Sequence, residues 1–167
     1  MINEEAQKYI DQKIYVHPLS KEGDGKGLKI KDWQTTKFTA RDFNDNNNVG
    51  MNLALSKKAD FDGDSEEANY FAPKFMSPTR TLGLKSPTGS RTVTSHYIYD
   101  EVVPLNITKE FPDGRTIAEL RGNGNTVVAP SIAESKLFNN QMCERVWTNE
   151  RGFEKNPDLE KQFHKVC

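Results

Sequence analysis

Apolar residues recur at helical spacing in three stretches of this chain. Within residues 3–13, Ala6, Tyr9 and Ile10 fall on one face and predict a short amphipathic helix. Across 65–75, Ala68, Phe71, Ala72 and Phe75 stand at i, i+3, i+4 and i+7, with Pro73 expected to end or kink that helix. Leu159, Phe163 and Val166 form a third stripe, behind an Asn156-Pro157-Asp158 start in which Asn156 reads as the N-cap. Elsewhere the pattern is extended. Strands are expected at 14–19, closed by Pro18, and at 57–62, 79–86, 92–100 and 101–111. Residues 115–122 and 125–131 read as a hairpin around Gly122-Asn123-Gly124, and 144–149 as one more strand. Turn chemistry separates these runs: 20–27, the Asn-rich 44–48 before an apolar 49–55, 87–91, and Pro112-Asp113-Gly114. More strand than helix, in mixed sheets, predicts an α+β fold.

At 167 residues the chain has the length of one domain, taken as 1–167. Lys and Arg number 23 and Asp and Glu 24, which excludes binding nucleic acid by bulk charge but leaves room for a local basic groove. No apolar run approaches the ~18 residues of a membrane span, and the polar N-terminus MINEEAQKYI is unlike a secretory or transit signal, so a cytoplasmic protein is expected. Two cysteines make neither a disulfide framework nor a zinc cluster.

Three features carry chemistry. Asp60 and Asp62 flank Phe61 on a strand, so both carboxylates leave one face and repel unless a cation lies between them. A hard divalent ion suits them. The DFDGDSEE run also reads simply as a polar strand end leading into a helix whose dipole favours acids. An EF-hand would start at Asp60 and continue through Asp62 and Asp64. It fails because positions 6 and 12 are Ser65 and Phe71 instead of Gly and Glu. Glu119 sits in the apolar IAELR strand, sharing a face with Ile117 and Arg121. It needs a metal, a cross-strand cation or water. His96 shares a face with Thr94 and Ile98, a position that a structural histidine would also fill.

In order, DFD (60–62), SHY (95–97) and ELRGNGNTVVAPS (119–131) resemble the motifs of bifunctional primase-polymerases of the archaeo-eukaryotic primase superfamily. FMSPTRTLGLKSPTGSRTVTSHY (75–97) is similar to the family's segment between its first two motifs, with Lys85 where an Arg is usual. VHPL, Lys26, Trp33 and Trp147 echo flanking positions, and the likeness is clearest over 14–150. It departs at Ala129, which replaces the first Pro of a usual Pro-Pro-Ser, and at Ala133, which replaces a common His.

The resemblance implies an α/β unit followed by an RRM-like unit with the active site between them. It implies DNA primase or polymerase activity with pyrophosphate release. Asp60, Asp62 and Glu119 would hold two Mg²⁺ or Mn²⁺ ions. His96, with Ser95 nearby, would contact the triphosphate. Arg121 would reach a phosphate, and Lys85, Ser86 and Arg91 would frame a phosphate-cradling turn at Gly89. A basic wall would draw on Lys85, Arg91 and Arg121, with Arg80 and Arg115 read as ordinary solvated charges. The implied partners are nucleoside triphosphates, a single-stranded DNA template and primer, and a helicase or helical primase domain on this or another chain. A metal-dependent nuclease, and a non-catalytic nucleotide- or nucleic-acid-binding module of the same fold, stay open beside this reading.

Overall fold

The computed structural model describes residues 1–28 and 30–167. Helix α1 (Ile2–Asp11) leads into strands β1 (Val16–Ser20) and β2 (Asn47–Asn52) and a short helix α2 (Leu53–Ser56). Strand β3 (Ala59–Gly63), helix α3 (Glu66–Phe75), β4 (Arg80–Lys85) and β5 (Thr92–Tyr99) follow. Then come β6 (Ile107–Glu110), β7 (Thr116–Arg121), β8 (Asn125–Val128), β9 (Ile132–Ser135), β10 (Gln141–Trp147) and helix α4 (Leu159–Val166).

The strands form two sheets, β1-β2-β8 and β6-β7-β3-β5-β4-β10-β9. Every pairing among the described residues is antiparallel, within the mixed or antiparallel sheets expected, and short loops join β6 to β7, β4 to β5 and β9 to β10. The fold is α+β. In the large sheet the central order β7-β3-β5-β4, with α3 crossing from β3 to β4, is that of a split β-α-β unit. The second helix of such a unit normally joins β5 to β7. Here α4, from the far end of the chain, packs beside α3 instead.

Alternation along β3 assigns the two sheet faces. Ala59 and Phe61 point to the helix side, into a core with Ala68, Ala72, Tyr97, Tyr99, Leu120 and Phe163. Asp60 and Asp62 point the other way. On that side the small sheet and α1 close a second core around Tyr9, Val49, Met51, Leu82, Ile98 and Val128. Among the described residues, no helix is long and apolar enough to cross a membrane.

Several elements differ from expectation, each for a local reason. Pro18 lies inside β1 instead of ending it; β1 is an edge strand, where a missing N–H is tolerated. Asn48 belongs to β2, not to a loop. It is fully buried, donating to the carbonyls of Gly25 and Ile132 and accepting from the Ile132 amide, so it ties three segments together. Helix α3 is capped by Ser65, whose side chain accepts from the Ala68 amide. It runs two residues past Pro73, which lies on the exposed side of the helix. Only the alanines of its stripe are buried, which lets the helix sit close on the sheet; Phe71 and Phe75 stay about 40% exposed. Residues 101–106 are not a strand.

Residues 115–121 and 125–128 do not pair with each other. The hairpin partner of β7 is β6, around Pro112-Asp113-Gly114, and the 122–124 turn carries the chain from the large sheet to the small one. Glycine is required at both ends of that turn. A Cβ on Gly122 would collide with the Val103 carbonyl, and Gly124 has φ +90°. Asn156 is not the cap of α4; its buried amide donates to Gln162 Oε1, and Asp158 stands at the helix start.

His17 on β1 is a cost built into the small sheet, on the face turned away from the second core. It is 1% exposed, neither ring nitrogen has a partner, and its ring packs 4.6 Å from Trp33 over the space left by Gly50. Burial pushes its pKa down to about 4. The unfolded chain therefore binds a proton that the fold rejects between pH 6.5 and 4, so the neutral ring favours the fold above pH 6.5 and stability falls toward pH 4. Denaturant unfolding at pH 7 and pH 4 should show a loss on the order of 2–3 kcal/mol in the wild type that His17→Leu largely removes; an equal loss in both proteins would refute it.

Candidate functional site

Register places the functional side chains before any tertiary contact is considered. Asp62 on β3 lies opposite His96 on β5 and Glu119 on β7, while Asp60 lies opposite Ile98 and Arg121. All project from the sheet face that meets β8. Between β4 and β5, Leu82 pairs with His96 and Gly83 with Thr94, which leaves Ser95 as the extra residue of a β-bulge. The bulge turns Ser95 and the adjacent His96 toward the same cleft.

Asp60 is wholly inaccessible to water. Arg121 Nη2 donates to it at 2.8 Å, the Thr126 hydroxyl donates to the same oxygen, and His96 Nδ1 lies 3.1 Å from both oxygens. A carboxylate only accepts, so Nδ1 carries the proton. Burial by itself would raise the Asp60 pKa, but His96, Arg121 and Thr126 reverse this and hold it far below the carboxylate range. For His96, burial opposes the charged ring, yet Asp62 and Asp60 outweigh it and raise its pKa.

The same Arg121 Nη2 lies 2.8 Å from Asp62 Oδ2, so the cation expected between Asp60 and Asp62 is a guanidinium of the protein itself. Arg121, expected to reach a phosphate, is thus largely held by these two carboxylates. Its two Nη atoms are engaged, with Nη1 donating to the Asn125 carbonyl, and only Nε is without a partner.

Two groups of potential metal ligands have their donor atoms within 4.8 Å of one another: Asp62, Asp64 and Glu119, and Asp60, Asp62 and His96. The expected trio of Asp60, Asp62 and Glu119 is thus divided between them. In the second group Asp60 and His96 Nδ1 are already committed to each other, and Asp60 also to Arg121 and Thr126. The first group is not compensated in this way. Burial and then repulsion from Asp62 push the Asp64 carboxyl up to about 6, with Lys136 pulling the other way and Glu119 adding a lesser repulsion. Asp62 shares Arg121 with Asp60, while Asp64 and Glu119 have no ion-pair partner among the described residues; a carboxylate trio with two members unpaired fits a hard divalent ion. In the sequence Asp64 figures only in the rejected calcium-loop reading, because Gly63 ends the strand before it.

These acids line one side of a cleft of about 280 Å³, with Ser95, His96 and Arg121. The other side holds Lys26, Lys136 and Arg145, with Glu134 among them. Arg145 is buried and gives its Nη groups to the carbonyls of Ala133, Cys143 and Glu134, so no carboxylate pairs with its charge through those atoms. Among the described residues, seven buried side-chain polar atoms have no hydrogen-bond partner, and three of them, Ser95 Oγ, Arg121 Nε and Arg145 Nε, belong to this cleft. All three can donate, so the ligand that would satisfy them is an acceptor.

Lys85, Ser86 and Arg91 do not line the cleft, contrary to expectation. Lys85 pairs with Glu144 at 2.9 Å. The Ser86–Arg91 turn is closed on itself, with Ser86 Oγ accepting from the Arg91 amide and hydroxyls of Thr88 and Ser90 nearby, so it presents no open cradle. Arg91 lies over the Phe138 ring. Arg80 stacks on Trp147, and Arg115 pairs with Asp113 at the surface. The basic side missed in the sequence comes from a turn-rich loop (Lys26), from a segment without motif likeness (Lys136) and from a strand that reads as ordinary core (Arg145).

The two carboxylates should respond oppositely to neutralisation. The raised Asp64 pKa means that the fold prefers its protonated form; this preference favours folding below pH 3.8 and is lost as pH rises through 6. At pH 7.5 without divalent metal, Asp64→Asn should stabilise by on the order of 1–2 kcal/mol. Asp60→Asn leaves Arg121 and His96 poorly compensated and should destabilise by ~3 kcal/mol. Adding Mg²⁺ should raise the melting temperature of the wild type and not that of Asp64→Asn. Thermal melts of the three proteins with and without Mg²⁺ check this, and equal shifts in all three would refute it.

No protein-family model matches the chain, and no curated protein matches it.

Proposed function

We propose that this chain is a template-directed nucleotidyl transferase, a DNA primase or polymerase, that uses Mg²⁺ or Mn²⁺. The observation that carries the reading is the two-sided cleft, with three crowded carboxylates facing buried donors that lack acceptors. A nucleoside triphosphate matches both sides through its phosphate oxygens, and the ordered DFD, SHY and ELRG motifs point to the same chemistry.

Asp62, Asp64 and Glu119 would hold the divalent cation. When bound, it would neutralise phosphate charge and stabilise the attacking and leaving oxygens of an in-line displacement. Ser95 Oγ, Arg121 Nε and Arg145 Nε would donate to phosphate oxygens, with Lys26 and Lys136 adding charge. His96 is locked by Asp60 through Nδ1, which leaves Nε2, 3.6 Å from Asp62, as the nitrogen that would face the substrate beside the metal ligands. In the reaction a hydroxyl oxygen of a primer or initiating nucleotide bonds to the α-phosphorus, the bond from that phosphorus to the bridging oxygen breaks, and pyrophosphate leaves. The partners in this reading are nucleoside triphosphates and single-stranded DNA template and primer.

Calorimetric titration of a nucleoside triphosphate, with and without Mg²⁺ or Mn²⁺, tests the site. Binding should require metal, weaken at least tenfold in Asp62→Asn/Asp64→Asn, and weaken roughly fivefold to tenfold in Ser95→Ala, as expected for one lost charge-assisted hydrogen bond. Primer extension on a single-stranded template should follow the same order. No triphosphate binding with either metal would overturn the reading, and metal-dependent strand cleavage without triphosphate binding would replace it with a nuclease.

A further inference from the structure

Leu137 lines the cleft and also a second hollow of about 280 Å³, bounded by Tyr70, Arg91, Val93 and Phe138. The two spaces therefore lie side by side, with Leu137 as their common border. The outer face of α3 beside this hollow is aromatic: Tyr70 is 63% exposed, Phe71 39% and Phe75 40%. These rings are not needed by the core, because α3 packs on the sheet through Ala68 and Ala72.

Cations alternate with the rings. Lys74 Nζ lies 3.9 Å from the Tyr70 centroid and 5.1 Å from that of Phe71, and the Arg91 guanidinium lies 5.4 Å from that of Phe138. Glu66, 3.9 Å from Arg91, is highly exposed, and an ion pair open to water holds Arg91 only weakly. Rings and cations set together, beside a hollow that adjoins a cleft with unpaired hydrogen-bond donors, match the needs of one polymer. Its bases stack on rings in any sequence, and its backbone tracks positive charge. Lys74 and Arg91 lying over the rings favour a polyanion over an uncharged apolar partner.

We infer that the Tyr70–Phe138 hollow and the outer face of α3 form a stacking track for single-stranded nucleic acid leading into the cleft. The inference rests on the nucleotidyl-transfer reading for the direction of the strand, and its test is independent of metal and triphosphate.

Fluorescence anisotropy of a labelled oligothymidylate of about 12 nucleotides, in EDTA and without triphosphate, reads the track directly. Tyr70→Ala and Phe138→Ala should each weaken binding about tenfold, and Arg91→Ala should weaken it less and flatten its salt dependence. All three should retain the wild-type melting temperature and metal-dependent triphosphate binding. Asp64→Asn should leave strand binding unchanged, so strand binding surviving in a protein that never binds triphosphate would remove the reading of the cleft and keep the track. Absent strand binding, or strand binding indifferent to Tyr70 and Phe138, would overturn the inference. So would sedimentation showing wild-type self-association that Tyr70→Ala abolishes while strand binding persists, since the face would then be an interface between copies of this chain.

Discussion

A carboxylate sealed from water is the interaction on which this structure turns. Moving one such charge from water into a protein interior costs several kcal/mol, and the cost is offset only by close, well-aligned partners. Asp60 has three kinds: a guanidinium from β7, an imidazole from β5 and a hydroxyl from β8. The first two come from neighbouring strands of its own sheet. The third comes from the other sheet, so one buried charge fixes how the two sheets meet. It also fixes register. A one-residue slip of β3 would drive Phe61 into the polar layer and Asp60 into the aromatic core beneath the helices.

Asp60 and Asp62, two residues apart on one strand, therefore do different work. Asp60 is spent on the protein's own cohesion. Asp62 shares Arg121 with it but opens to the cleft, where Asp64 and Glu119 add negative charge without equivalent compensation. Across from them, Arg145 holds a positive charge in place with backbone carbonyls, which supply hydrogen bonds without neutralising it. The cleft is thus a place where the fold leaves charges of both signs apart instead of pairing them. Such an arrangement lowers stability and is tolerated where a ligand completes it.

The polar face of β3 was legible in the sequence because alternation alone puts Asp60 and Asp62 together and Phe61 opposite. His96 and Glu119 were legible as polar residues in apolar strands. Their convergence on Asp62 was not, because strand order is a long-range property. The 122–124 turn shows the limit well: local chemistry marks a reversal, but β7 already has neighbours on both edges, so the chain crosses to another sheet. The exposed phenylalanines of α3 illustrate the same point in a helix. Spacing identifies a stripe, while the closeness of the sheet decides that the alanines, not the rings, face inward. Lys26 stands out in the sequence only as an echo of a flanking family position, and Lys136 and Arg145 carry no local signal, since what matters about all three is that they face acids many residues away.

Helix α4 has a consequence for the life of the chain before it is folded. Phe163 and Leu159 cover Phe61 and its neighbours, a layer laid down about a hundred residues earlier. During synthesis the central strands can pair, but their aromatic face stays wet until residues 159–166 have left the ribosome. The domain must close its helix-side core late, across a large sequence separation, which slows folding and lengthens the interval in which a nascent chain exposes sticky surface.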